Sequence, residues 1–217
     1  MSGDLPSGGL FSEPIIGVPA PRGLGRMQVG GGDAVNRQPN DFYPTPPDVT
    51  RAFLRVERLF LSAAAPGPVW EPCGRGGAIL RELAAAGFDI VGSDVVGDPD
   101  NAVTQLDLLQ CRRALGRKVV TNPPFALAGD MIGHLLERLQ VDYLALLLKS
   151  QFWHAEERRA LFRRHRPARI WALTWRPDFM NRGAPTMDCI WVVWQRGVIG
   201  TAFNLMPRSA ETQRELL

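Results

Sequence analysis

Val119-Val120-Thr121-Asn122-Pro123-Pro124-Phe125 is the stretch whose reading decides the fold. The two valines and Thr121 favour a pleated, buried strand. That strand must stop at Asn122. Pro123 and Pro124 have no N–H and a fixed φ, so neither a ladder nor a helix runs through them. Pro123 also holds Asn122 extended. The result is a stiff loop at the carboxyl end of a strand, the edge at which open α/β sheets bind ligands. It presents an amide, backbone carbonyls and an aromatic face.

Outward from this loop, strands and helices alternate. Downstream, Ala126 to Leu139 reads as a helix with Leu127, Met131, Leu135 and Leu139 as its core stripe. Tyr143 to Leu148 is a continuous apolar run, the pattern of a parallel strand covered on both faces. Ala155 to His165 is an arginine-rich helix. Arg169 to Thr174 and Asp188 to Gln195 are strands with no helix between them, which predicts an antiparallel pair. Upstream, Pro68 to Glu71 is a strand, followed by the turn Pro72 to Gly77 and a helix over Ala78 to Ala86. Phe88 to Asp94 is the next strand. A loop from Gly97 to Thr104 leads to Gln105–Leu109 and a short helix reaching about Leu115. Before all of these, Thr45 is placed to cap a helix that starts at Pro46 and runs to about Leu61. Val49, Phe53, Val56 and Phe60 would form its buried face.

Several of these boundaries carry chemistry. The strand–glycine turn–helix at Glu71 to Ala78 is a nucleotide-binding layout. Glu71 would repel a pyrophosphate there and suits a cationic amino-acid ligand or a hydroxyl. An acid at the end of the next strand, Asp94, is placed to take ribose hydroxyls. Asp107 could accept from an adenine amino group with Leu108 beneath the ring, or simply cap the helix that follows. The central loop suits a poor nucleophile, the exocyclic amine of adenine. The Asn122 oxygen and the Pro123 carbonyl would accept its two N–H bonds and free its lone pair, while Phe125 stacks on the ring. A proline-stiffened turn without chemistry is the alternative for that loop.

Composition narrows the class. The 217 residues, 45% of them hydrophobic, suffice for one domain. The reading divides the chain into a Gly/Pro-rich tail over 1–36, a domain over 37–199 and a C-terminal tail over 200–217. No run of apolar residues is long enough for a membrane span. Cys73, Cys111 and Cys189 make no CxxC pair, so neither a disulfide framework nor a metal site is expected, and a cytoplasmic location is. The formal charge of +3 is concentrated. Eight arginines lie from Arg158 to Arg182, Arg166 and Arg169 among them, and Arg158, Arg159, Arg163, Arg164, Arg176 and Arg182 form the candidate nucleic-acid surface. A solvated helix face balanced by Glu156 and Glu157 is the competing account.

The order of the motifs resembles a family. DFYPTP at Asp41–Pro46, WEPCGRGG at Trp70–Gly77, GSD at Gly92–Asp94, LDLL at Leu106–Leu109, TNPPF at Thr121–Phe125 and MDCIWVVW at Met187–Trp194 follow one another. Together they resemble the class I S-adenosylmethionine-dependent methyltransferases, and more closely the adenine-N6 DNA methyltransferases of phages and prophages. The resemblance spans about Asp41 to Gly197. It implies an α/β, Rossmann-like, seven-stranded and mostly parallel sheet with a reversed last strand and helices on both faces. It implies S-adenosylmethionine as cofactor, DNA as partner, and no metal. Asn122, Pro123, Pro124 and Phe125 would then hold the target base. Glu71, Gly74 and Gly76 would face the methionine portion, Asp94 the ribose, and Asp107 with Leu108 the adenine. Phe42, Tyr43 and Thr45 would close over the methionine end. The turn departs from the family in one respect: Arg75 stands where its first glycine is usual, and Gly74 comes one place early. Similar loops serve enzymes acting on RNA, on cytosine amines or on a protein glutamine, and these acceptors stay open. So does a silent nucleic-acid-binding module on the same fold. A nicotinamide-dependent oxidoreductase is disfavoured by Glu71-Pro72 and the lack of a GxGxxG pattern.

Overall fold

A computed structural model describes residues 43–183 and 185–209. Phe42, the whole N-terminal tail and residues 210–217 of the C-terminal tail therefore lie outside the described residues. The elements are α1 (Pro47–Ala64), β1 (Val69–Glu71), α2 (Ala78–Ala85), β2 (Ile90–Asp94), β3 (Val103–Gln105) and β4 (Lys118–Thr121). Then come α3 (Ala128–Gly133), β5 (Tyr143–Lys149), α4 (Arg159–Arg164), β6 (Arg169–Leu173), β7 (Cys189–Gln195) and β8 (Ala202–Met206). All eight strands join one sheet in the order β3-β2-β1-β4-β5-β7-β6-β8. Strands β1 to β5 pair parallel with their neighbours, and β7 runs antiparallel to both β5 and β6.

Strand β5 explains its apolar run by alternation. Tyr143, Ala145 and Leu147 pack with Val49 and Phe53 of α1 and Ile79 and Leu83 of α2. Leu144, Leu146 and Leu148 pack on the other face with Met131, Ile132 and Leu161 of α3 and α4. Strand β7 divides likewise, Trp191 and Val193 one way, Val192 and Trp194 the other. Helices thus cover both faces, and the sheet's polar groups are exposed to ligands only at its edges.

The chain enters the sheet at β1, builds outward to β3, and returns to place β4 on the other side of β1. The order reverses between β1 and β4, and such a switch point opens a crevice at the carboxyl ends. Val69 pairs with Lys118 and Trp70 with Val119. Glu71 and Asn122 consequently flank that crevice from the two adjoining strands.

The structure corrects several sequence expectations. Helix α1 starts at Pro47, not Pro46, and Thr45 makes no capping bond. A residue preceding proline is driven out of the helical region, and Pro46 precedes Pro47; its ψ is 138°. The buried face of α1 runs through Val49, Phe53, Glu57 and Leu61, whereas Phe60 is 44% exposed. Glu57 occupies the place expected of an apolar residue because Arg169 reaches it from β6, Nε to Oε1 at 2.5 Å. Arg169 therefore lies in the interior and is no part of a nucleic-acid surface. In place of a uniform helix over Ala126 to Leu139, α3 widens into a π turn at His134–Arg138. Residues spaced by four drift forward around an ordinary 3.6-residue turn. The wider turn removes part of that drift and keeps Met131, Leu135 and Leu139 on the sheet, while Leu127 is 42% exposed.

Three smaller differences complete the picture. The expected loop before Gln105 contains strand β3, and the helix expected to reach Leu115 is a single turn at Leu108–Gln110. The arginine-rich helix is split into a turn at Glu156–Arg158 and α4. The sheet has eight strands, not seven: β8, within the expected tail, pairs parallel with β6. Its connection from β7 passes the start of β6, where Thr201 Oγ1 donates to the Pro167 carbonyl at 2.6 Å and Ala202 N to Ala168 O at 2.9 Å.

Candidate active site

Thr121 ends β4 fully buried, and Asn122 steps out of the sheet. Its side-chain nitrogen donates to Thr45 Oγ1 at 3.2 Å, with a longer contact to the Tyr43 carbonyl at 3.5 Å. The shift of the helix start to Pro47 is what releases Thr45 for this contact. Tying the nitrogen inward leaves Oδ1 as the acceptor of that amide, and among the described residues no donor occupies it. The Pro124 carbonyl accepts Leu127 N at 3.0 Å, closing the turn into α3. Phe125 is half-buried, with the Lys149 ammonium 4.3 Å from its ring centroid.

Across the switch point stands Glu71, 3% exposed. Among the described residues its buried Oε2 has no hydrogen-bond partner. Burial pushes its carboxyl well above the usual range, and the Asp94 charge adds to this; the Leu80 backbone and Arg81 oppose it. An unpartnered buried carboxylate is costly. Beside it, burial pushes the Cys73 thiol up to about 12, which keeps it protonated and inert.

The glycine turn accommodates Arg75. The positions that need glycine are Gly74, Gly76 and Gly77. Gly74 donates to the Ser93 carbonyl at 2.9 Å, and a Cβ there would lie 3.2 Å from the Glu71 carbonyl. Gly76 and Gly77 have φ of 74° and 62°, conformations that favour glycine. The turn is latched by residues the sequence reading passed over. Asp98 Oδ2 accepts Gly76 N at 2.9 Å and Asn101 Nδ2 at 2.8 Å. Arg81 bridges the Gly76 carbonyl and Asn101 Oδ1 at 2.8 and 3.0 Å. Nothing in the local sequence distinguishes these from ordinary surface residues.

Asp94 is half-buried at the end of β2 and accepts Val96 N at 3.0 Å and Arg75 N at 3.4 Å. Its backbone carbonyl receives Leu106 N at 2.8 Å, which brings the LDLL segment beside it. Asp107 is the N-cap of the following turn and accepts Leu109 N at 3.0 Å. Leu108 is 5% exposed and packs into the core under that segment. The fold thus gathers Tyr43, Thr45, Asn122 and Phe125 on one side of the crevice. Glu71, the glycine turn, Asp94 and Asp107 line the strand ends from β1 to β3.

The six arginines are not one uniform surface. Arg158 folds onto Phe152, donating to its carbonyl at 2.8 Å with the guanidinium 4.2 Å from the ring centroid. Arg159 pairs with Glu156, Arg164 with Glu137 and Arg176 with Asp188. Of these six, Arg163 and Arg182 are the two whose guanidinium groups have no partner among the described residues.

No protein-family model matches the sequence, and no curated protein matches it. Solved structures do match. One is a Pyrococcus horikoshii protein proposed to be an RNA methyltransferase, with 14% identity and a TM-score of 0.54 over 70% of this chain and 86% of that one. Another, from Listeria monocytogenes, is proposed to be a class I S-adenosylmethionine-dependent methyltransferase; identity is 14% and the TM-score 0.51 over 85% and 71% of the chains. A chain of a type I R-M system matches with 16% identity and a TM-score of 0.53, over 79% of this chain and 46% of that one. The architecture is therefore the Rossmann-like class I methyltransferase fold, extended by β8.

Proposed function

We propose that this protein transfers a methyl group from S-adenosylmethionine to the exocyclic N6 amine of adenine in DNA. The observation that carries the reading is the orientation of Asn122. Its nitrogen is tied to Thr45, its oxygen is left as an acceptor beside Phe125, and the loop faces the unpartnered Glu71 across the switch point. The cofactor fits the residues present. Glu71 Oε2 lacks the donor that an amino-acid ammonium would bring. Gly76 and Gly77, at φ 74° and 62°, bring no side chain into the turn. Glu71 would hold the ammonium, the Gly74–Gly77 turn would lie along the methionine, Asp94 would take the ribose hydroxyls, and Asp107 above Leu108 would take the adenine. Tyr43 and Thr45 would close the methionine end.

Bound there, S-adenosylmethionine supplies a sulfonium-activated methyl group. The chain's own residues prepare the acceptor. Asn122 Oδ1 and the Pro123 carbonyl accept the two N–H bonds of the target amine and draw its lone pair out of the ring. Phe125 stacks on the base, a contact worth about 1–3 kcal/mol. In duplex DNA the base must first leave the stack. The exposed Arg163 and Arg182, with those arginines whose carboxylate pairs lie in solvent, would meet the phosphate backbone without reading sequence. An in-line transfer needs orientation above all, and both halves of the site sit on rigid strand ends.

The test is nucleoside mass spectrometry on unmethylated DNA and RNA incubated with S-adenosylmethionine and either wild-type or Asn122→Ala protein. The expected result is N6-methyladenine in DNA with the wild type, reduced by about two to three orders of magnitude in the variant, as for loss of one transition-state hydrogen bond. Modification of RNA alone would favour the second reading, an RNA acceptor, to which the Pyrococcus horikoshii neighbour lends weight.

A further inference from the structure

Lys149 ends β5 at the rim of the crevice. Thr121 pairs with Leu146, so Asn122 lies one residue beyond that pair and Lys149 three. Both lie at the carboxyl edge of the sheet, Lys149 as the last residue of β5. On its other side Lys149 pairs with Cys189 at the start of β7. The neighbouring Asp188 is held by Ser150 through its carbonyl, at 3.0 Å from both the backbone N and Oγ, and by Arg176 through its carboxylate at 2.7 Å. Lys149 therefore has its ammonium on Phe125 and its backbone beside Cys189, the residue after Asp188.

Lys149 is half-buried, and the contact it makes is with the Phe125 ring, Nζ to centroid 4.3 Å. Among the described residues no carboxylate pairs with it, and the nearby Asp188 is engaged by Arg176. A cation left without a counter-charge at the mouth of a site attracts an anion, and an ammonium is a mobile point charge suited to one phosphate oxygen. A base stacked on the face of Phe125 that the ammonium now covers would displace it toward the nucleotide's own backbone.

We infer that Lys149 is a specificity-determining residue of the acceptor site, and that it selects acceptors presenting a phosphate beside the methylated base. The inference rests on the reading of the Asn122–Phe125 loop as the acceptor site. It separates a nucleic-acid acceptor from a peptide amide, which brings no phosphate.

Two variants test it. Lys149→Met keeps an unbranched stem against Phe125 and removes the charge; Lys149→Arg keeps the charge. Binding of a mixed-sequence single-stranded oligodeoxynucleotide is followed by fluorescence anisotropy across a salt series, with S-adenosylhomocysteine present. One lost phosphate contact makes the slope of log K against log salt shallower by about 0.7. That change is expected for Lys149→Met and not for Lys149→Arg, and in turnover KM for DNA should rise more than kcat falls. A wild-type slope in Lys149→Met, or a fall in kcat alone, would assign Lys149 a packing role on Phe125 and overturn the inference while leaving the proposed function standing. If the wild type binds cofactor but neither this oligonucleotide nor its RNA counterpart, the nucleic-acid acceptor itself fails, and the inference with it.

Discussion

Glu57 and Glu71 are both buried, 0% and 3% exposed, yet their surroundings are opposite. Glu57 lies on the sheet face under α1 and accepts from Tyr143 Oη at 2.6 Å, Trp171 Nε1 at 2.7 Å and Arg169 at 2.5 and 3.0 Å. Gln195 takes a further Arg169 N–H at 2.6 Å. Every member of that network has a protein partner. Glu71 lies at the carboxyl edge of β1 with Oε2 unbonded and its carboxyl raised by burial. The first carboxylate is completed by the fold. Among the described residues nothing completes the second. A buried polar group left open at a switch point marks the candidate ligand side of the molecule.

Four substitutions would break or sharpen this contrast. The largest effect is expected from Glu57→Ala, which strands Arg169 in the interior and should cost about 3–5 kcal/mol. Chemical denaturation measures it, and a loss under about 1 kcal/mol, typical of exposed pairs, would remove the distinction. Gly77→Ala comes next. It places a side chain at φ 62° and 2.7 Å from Asn101 Oδ1, and strain of this kind costs about 1–3 kcal/mol. Cofactor affinity should fall with it.

Glu71→Gln should do the reverse of Glu57→Ala in the unliganded protein. Because the Glu71 carboxyl is raised on folding, its contribution to stability is fully present below the ordinary carboxylate range and is lost as pH rises through the raised value. Melting temperature of the wild type should therefore decline over that window, and the Gln variant should lack that part of the slope and melt no lower at neutral pH. Parallel profiles would show that Glu71 ionises freely. The smallest effect is expected from Arg159→Ala. Its pair with Glu156 is solvent-exposed, with side chains 67% and 83% accessible, and should be worth less than about 1 kcal/mol.

The same contrast explains what the sequence disclosed. The Val119–Phe125 stretch and the β5 and β7 runs were legible because buried parallel strands leave continuous apolar signatures and prolines punctuate their ends. The candidate cofactor side was legible where an acid ends a strand, at Glu71 and Asp94. Glu57 was not, because a charged residue on a helix looks solvent-facing until its partner, Arg169, is known to cross from β6. Thr45 looked like a helix cap because Pro46 and Pro47 are equally plausible first residues until the rule for pre-proline residues is applied to Pro46 itself. Asp98, Asn101 and Arg81 converge on the glycine turn only in three dimensions. Strand β8 was hidden because Phe203 and Leu205 are exposed and its partner β6 lies far upstream.

The most direct test of the contrast is isothermal titration of S-adenosylmethionine into the wild type and Glu71→Gln. If Glu71 awaits the ammonium of the cofactor, replacing its charge should weaken binding about tenfold or more, the about 1.5–3 kcal/mol of a hydrogen bond to a charged group. The folded state should be undiminished. Equal affinities for the two proteins would contradict the assignment and place the methionine end of the cofactor elsewhere.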